Sequence, residues 1–128
     1  MSLRARTGGL TFDGVEIAWS KADDSGLLPR KVKVPGRELF DATRVGNRIR
    51  LRHWQPGDRF QPLGLARPAK VQDLLVNRKV PADRRRELLI ATTAVDEIFW
   101  VEGLPPGERF KIDRDTRRRL VWTWRRAD

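Results

Sequence analysis

Arg48-Ile49-Arg50-Leu51-Arg52-His53-Trp54 is the stretch on which the reading of this chain turns. Apolar and basic residues alternate with a period of two, the mark of a strand with one face turned inward. Ile49 and Leu51 share the inward face, and His53 alternates onto the same side. Arg48, Arg50 and Arg52 then line the other face at intervals of about 7 Å. Three arginines placed this way repel one another and add nothing to a core. They suit an anion with repeated charges, or acidic partners on an adjacent strand.

Working outward, the turn residues divide the chain into short extended pieces and one helix. On the N-terminal side, Leu10-Thr11-Phe12 and Val15 to Trp19 flank Asp13-Gly14, a pair that favours a tight hairpin. Residues 20–30 are polar, carry Ser25-Gly26 and Pro29, and read as a loop. Lys31-Val32-Lys33-Val34 alternates as a half-exposed strand, ended by Pro35-Gly36. On the C-terminal side, residues 55–67 form a Pro/Gly-rich loop. A helix from about Ala69 to Lys79 follows, with Val71, Leu74 and Leu75 as its apolar stripe and Lys70, Asp73 and Asn77 on a polar face. Pro81 stops it and opens a short second turn over Ala82 to Arg86. Leu88 to Thr92 and Ile98 to Val101 read as a hairpin turning around Val95-Asp96-Glu97. Arg109 to Ile112 read as extended, Asp113 as the cap of a helical turn, and Arg119 to Arg125 as the last strand. In that strand Leu120, Trp122 and Trp124 share one face. The fold expected is α+β, mostly β, built on antiparallel sheet as a single domain over residues 1–128.

Charge is the strongest global signal. Lysine and arginine number 27 against 17 acidic residues, a net of +10. Residues 1–43 hold 7 basic and 6 acidic groups, and residues 44–128 hold 20 and 11, so nine of the ten excess charges lie in the second part. Arginine dominates, and its planar fork suits phosphates and base edges better than the point charge of lysine. Nucleic acid is therefore the first partner to expect, against the plainer use of a basic surface for solubility. With no cysteine, disulfides and thiolate zinc sites are excluded. No apolar run approaches the roughly 20 residues of a membrane span, and no signal-peptide core opens the chain, so a cytoplasmic location without membrane contact is expected.

One pattern occurs twice. Pro56-Gly57-Asp58-Arg59-Phe60 returns fifty residues later as Pro106-Gly107-Glu108-Arg109-Phe110. In both, Pro-Gly turns the chain and Phe enters the core, leaving an acid and an arginine at the mouth of the turn. A structural salt bridge or backbone clamp weighs slightly more here than a ligand contact. Other chemistries are thin. One histidine without cysteine makes a poor metal site, and His53 reads better as a packed or edge residue. Asp58 with Glu108, or Asp73 with Asp83, would need to meet before acting as an acid–base pair, and nothing in the sequence joins them. Trp100 and Trp122 read as core; Trp54, on the arginine face, is the candidate for stacking on a base.

Arg52-His53-Trp54-Gln55-Pro56-Gly57-Asp58-Arg59-Phe60-Gln61-Pro62-Leu63-Gly64 resembles the signature that opens the C-terminal domain of tRNA(Ile)-lysidine synthetases. The resemblance continues through Lys70 to Leu75, Lys79-Val80-Pro81, Arg84 and Arg85, then Ile98 to Leu104 and Glu108 to Lys111. It covers about residues 40–125 in order, and residues 1–39 match only through Val32 to Gly36. It implies a β-sandwich with one or two flanking helices, similar to a domain of the phenylalanyl-tRNA synthetase β-subunit. It also implies a parent ligase that uses ATP to activate the wobble cytidine of a CAU-anticodon tRNA(Ile), which free lysine then attacks. In that family the C-terminal domain helps to hold the tRNA, chiefly near the acceptor stem. The family's Ser-Gly-Gly-x-Asp-Ser loop for ATP phosphates has no counterpart here, since Gly8-Gly9 and Ser25-Gly26 do not fit it. No catalysis and no cofactor are therefore expected of this domain alone; ATP and magnesium would belong to the parent's catalytic domain.

An RNA stem would be held by its phosphates and 2′-hydroxyls, because the deep major groove hides the bases. Arg50, Arg52, Lys70, Arg78, Lys79, Arg84, Arg85 and Arg86 are the candidate contacts, followed by Arg59, Arg109 and Lys111. The alternative is a protein-interaction module whose basic face docks on an acidic surface of the parent's N-terminal catalytic domain or of another partner.

Overall fold

The alternation at 48–54 forms strand β4 (Ile49–His53), at the edge of a three-stranded antiparallel sheet. The computed structural model of the chain describes residues 2–3, 6–23 and 36–126. β4 pairs with β7 (Leu89–Thr93), which pairs in turn with β8 (Ile98–Val101). A second, four-stranded antiparallel sheet runs in the order β1 (Thr7–Phe12), β2 (Val15–Asp23), β9 (Arg118–Arg126) and β3 (Arg37–Asp41). The first hairpin is the one the Asp13-Gly14 pair predicts. Both turn residues have positive φ (48° and 81°), the geometry that matches the twist of a two-residue hairpin.

The two sheets close face to face. Ile17, Trp19, Phe40, Leu120 and Trp122 of the larger sheet pack in one cluster with Ile49, Leu89, Phe99 and Trp100 of the smaller. Phe99 stands edge-on to Phe40 and Trp122, with ring centroids 5.2 and 5.6 Å apart. Such pairs contribute about 0.5–1.5 kcal/mol each beyond the area they bury. Trp100 and Trp122 are fully buried, as the sequence reading expects.

The smaller sheet is covered on its other face too. Helix α2 (Val71–Asn77) sets Val71 and Leu75 against Ile90, Ile98 and Val101, with Phe60 and Leu104 filling the ends. Every residue of β7 and β8 is therefore buried. A β-bulge makes this possible. Ala91 opposes Trp100 and Thr92 opposes Ile98, which leaves Phe99 as the extra residue. Phe99 and Trp100 both enter the core between the sheets, while Ile98 and Val101 face the helix. The result is three layers: four strands, three strands and a helical layer.

Several local expectations change. β2 continues through residues 20–23, read above as loop, because β9 offers it a full-length partner (Ser20 opposite Val121, Lys21 opposite Leu120). The remainder of that loop and the strand expected at 31–34 with Pro35 lie outside the described residues. The loop 55–67 contains β5 (Arg59–Phe60), whose partner is β6 (Ala69–Lys70). This pairing holds residues 69 and 70 extended, so α2 starts at Val71 rather than Ala69. Pro81 leads into the short helix α3 (Ala82–Arg85), as expected. A one-turn helix, α1 (Ala42–Val45), had no signal strong enough to read, although Asp41 caps it by accepting from the N–H groups of Thr43 and Arg44. Residues 108–110 form a 3-10 turn instead of extended chain. Asp113 caps a turn through the N–H of Asp115, and no helix follows.

The two Pro-Gly copies are likewise not equivalent. Gly57 has φ +96°, which favours glycine, and a strand follows it. Gly107 has φ −62° and leads into the 3-10 turn. Its hydrogen is required for closeness rather than conformation, since a Cβ there would meet Phe110 at 3.0 Å and Phe60 at 3.2 Å.

Candidate nucleic-acid interface

Cross-strand register fixes where the β4 arginines point. Arg52 lies opposite Ile90, and Ile90 faces the helical layer. Ile49 and Leu51 face the other way, into the core between the sheets. Arg50 and Arg52 therefore stand on the helix-bearing side of the molecule. Arg59 and Lys70 join them there as direct partners across β5 and β6. Arg78 caps the C-terminus of α2, Lys79 follows it, and Arg84 to Arg86 make up the end of α3. Residues 50–86, which supply this side, hold 10 basic and 3 acidic residues. The strand alternation and the two helical turns thus converge on one surface.

The candidates differ in what they touch. Arg52 makes a bidentate pair with Asp58, at 2.9 and 3.0 Å. Asp58 also accepts from the Gln55 N–H, and its own carbonyl accepts from Val71 N–H, tying β4 to the start of α2. Burial works against the Asp58 charge, yet the Arg52 pair and the Gln55 hydrogen bond together hold its carboxyl below the ordinary value. Arg109 binds Glu97 at 2.6 Å and Lys111 binds Glu108 at 2.5 Å. The Lys111 hydrogen bond holds the Glu108 carboxyl below its usual range. So the clamp reading of the repeated turns applies to both acids, and neither carboxylate is free for acid–base work. Arg50, Arg59, Lys70, Arg78, Lys79, Arg84, Arg85 and Arg86 make no ion pair among the described residues, nor does Arg67 in the β5–β6 loop.

Elsewhere, Arg37, Arg48, Arg114 and Arg117 also make no ion pair among the described residues, and other cations are engaged. Arg125, on the outer face of the larger sheet, pairs with Glu16, and Arg44 pairs with Asp113. Arg126 grips the buried Glu102 with two nitrogens, at 2.9 and 2.7 Å, and the same carboxylate accepts from Leu89 N–H. That cluster ties the last strand to β7 and is structural. Sequence reading missed it, because its members are separated by as many as 37 residues.

Trp54, the stacking candidate, is half-buried. Its indole packs on the helix-side cluster and its N–H donates to the Arg85 carbonyl. This contact moors α3 to the end of β4, which is why the Arg84–Arg86 cations sit near the β4 arginines. His53 bonds Asp13 through Nε2 at 2.7 Å and packs near the Phe12 ring, an edge histidine as expected. Among the described residues no three histidine, aspartate or glutamate side chains gather in a way that could hold a metal.

The segments after and within the two Pro-Gly copies run side by side. Leu63 N–H donates to the Pro106 carbonyl and Glu108 N–H to the Gln61 carbonyl, both at 2.8 Å. A cleft of about 460 Å³ opens beside them, lined by Arg59, Asp96, Glu97 and Arg109 together with Phe60 and Phe110.

The family model for the TilS substrate C-terminal domain matches residues 49–122. The chain belongs to this family. The tRNA(Ile)-lysidine synthase of Symbiobacterium thermophilum is 35% identical over 114 residues, 88% of this chain and 23% of that protein. That of Clostridium acetobutylicum is 36% identical over 83 residues, 65% of this chain and 18% of that protein. The TilS-family chain thus spans about a fifth of the length of these curated relatives. Among solved structures, a TilS C-terminal domain superposes with a TM-score of 0.74 at 22% identity, covering 91% of this chain and 87% of the other. An N-terminal fragment of the phenylalanyl-tRNA synthetase β-subunit from Pyrococcus horikoshii gives 0.60 at 13% identity, over 69% and 27%. At these identities the likeness is one of fold, and it bears out the expected mostly-β architecture. No helix among the described residues is long and apolar enough to cross a membrane.

Proposed function

We propose that this TilS-family domain holds tRNA(Ile) on its helix-bearing side, as part of a ligase that attaches lysine to the wobble cytidine of the CAU anticodon. One observation carries the reading. Nine cations without an acidic partner among the described residues stand on β4, the β5–β6 hairpin and the two short helices, which the fold gathers on one side. A folded domain gains nothing from such crowding, and a polyanion relieves it. An A-form stem fits, its phosphates and 2′-hydroxyls facing the cations and the Asp73 and Asn77 side chains of α2. The acceptor stem is the part assigned to this domain, with the anticodon left to the parent's catalytic domain. ATP and magnesium act in that other domain.

Fluorescence anisotropy with the 128-residue chain tests the proposal. Labelled tRNA(Ile) should bind, and should bind more tightly than a DNA duplex of equal charge, because shape and 2′-hydroxyls are what the surface reads. Equal affinity for both leaves only a nonspecific basic surface. No binding to tRNA, with binding to the separately produced catalytic domain, replaces the proposal with the protein-docking alternative.

A further inference from the structure

The cleft between the repeated turns differs from the cationic surface around it. Most of its charges already cancel in pairs: Arg52 with Asp58, Arg109 with Glu97, Glu108 with Lys111. Such a lining holds no excess charge with which to grip a phosphate. Two lining groups have no ion pair among the described residues, and they carry opposite charges: Arg59 and Asp96. Arg59 makes only a long contact of 3.5 Å to the Pro68 carbonyl. Asp96 is exposed at the β7–β8 turn, with φ +63°, and its charge acts on Arg52. The apolar part of the lining includes Phe60, Ile98 and Phe110. The volume, about 460 Å³, lies within the range of small-molecule sites.

An apolar wall with an unpaired donor fork and an unpaired carboxylate suits a flat neutral ligand that offers acceptors on one edge and donors on the next. Among nucleobases guanine does this best. Its O6 and N7 suit an arginine fork, and its N1–H and N2–H₂ suit a carboxylate. Sequence-specific RNA recognition uses unstacked bases of this kind, reached outside the helical stem. Unpaired cations flank the cleft: Lys70 directly opposite Arg59, and Arg50 two residues from Arg52 on the same strand face. They are placed for the phosphates on either side of an extruded nucleotide.

We infer that the cleft between the two Pro-Gly turns is a nucleotide pocket that takes one unstacked guanine, with Arg59 reading its Hoogsteen edge and Asp96 the adjacent Watson–Crick edge. This rests on the RNA-binding reading for its biological ligand, but the pocket can be tested without it.

Asp96→Asn is the decisive variant, because the sign of its effect differs between readings. Asparagine tolerates positive φ, so the turn keeps its shape. If the surface binds phosphates alone, losing a negative charge leaves tRNA affinity unchanged or raises it. If Asp96 reads guanine, affinity falls by about fivefold or more, the low end for a bidentate base contact. The paired measurement uses guanosine and cytidine 5′-monophosphates with the ¹⁵N-labelled chain. Guanosine monophosphate should shift the amides of Gly57, Asp96 and Gly107 and cytidine monophosphate should not, and Asp96→Asn should abolish that difference. If tRNA binds while the variant is neutral or tighter and neither nucleotide shifts the cleft, the pocket is overturned and the tRNA reading stands. If guanosine monophosphate shifts the cleft but tRNA does not bind, the pocket stands and the tRNA reading falls. No response to either overturns both.

Discussion

Replacing Arg84, Arg85 and Arg86 together by alanine should flatten the salt dependence of tRNA binding by about 2–3 logarithmic units of slope. The magnitude follows from counterion release, about 0.9 ions per phosphate contact on a duplex. Nine cations on the helix-bearing side lack an acidic partner among the described residues, and a stem that engages about five of them gives a slope of about −4.5. Raising salt from about 50 to 200 mM then weakens binding by roughly two to three orders of magnitude. Three of the nine lie at the end of α3, whose position is set by the Trp54 contact to the Arg85 carbonyl rather than by the arginine side chains. Their removal should therefore leave folding almost unchanged, within about 0.5 kcal/mol. The comparison variant is Arg37→Ala with Arg125→Ala. Both residues are exposed on the four-stranded sheet, and Arg125 is already held by Glu16. The assay is anisotropy across a salt series, with circular dichroism melting for each protein. A slope unaltered by the triple change, or flattened equally by the double change, would show that charge anywhere on the surface suffices and refute the argument from position.

The other expectations concern the scaffold and the absent chemistry. Phe60→Ala removes a ring that is 2% exposed in the helix-side cluster, and should cost about 3–5 kcal/mol, read as a lower urea midpoint; a loss below about 1 kcal/mol contradicts its burial. Arg126→Ala strands the buried Glu102 carboxylate and should cost about 3 kcal/mol in the same assay, with a neutral result excluding the pair as a tie between sheets. Asp58 has a folded pKa below its ordinary value of 3.8, so its contribution is complete above that value and is lost as pH falls through the lower, folded one. Stability of Arg52→Ala should accordingly fall less than that of the parent chain on acidification below about pH 4, and parallel pH profiles would exclude the pair as the cause. Calorimetry with ATP and magnesium should give no heat of binding, since the phosphate loop is missing from the chain; micromolar affinity would reveal a nucleotide site of another kind.

What the sequence discloses depends on whether its physical cause is local. The alternation of Ile49 and Leu51 with arginines is legible because β4 is an edge strand whose two faces meet different environments. β7 and β8 carry no such pattern, being buried on both faces. The bulge at Phe99 then turns two adjacent aromatic residues to one side, which a period of two forbids. β5 and β6 are two residues each and exist because they have each other, so neither has a periodicity to read. The same distinction governs the candidate site. The basic residues at 50, 52, 78–79 and 84–86 are visible as composition, but their convergence depends on the Trp54–Arg85 and Asp58–Val71 hydrogen bonds. The pairing of Asp58, Glu97 and Glu108 with cations needed the fold as well. Those pairs matter for function as much as the unpaired arginines do. By silencing the acids near the cleft they separate a surface with excess positive charge from a pocket with nearly none. A polyanion is drawn to the first by charge that reaches over several ångströms, and the second can select only by the shape and hydrogen-bonding edge of what is brought to it.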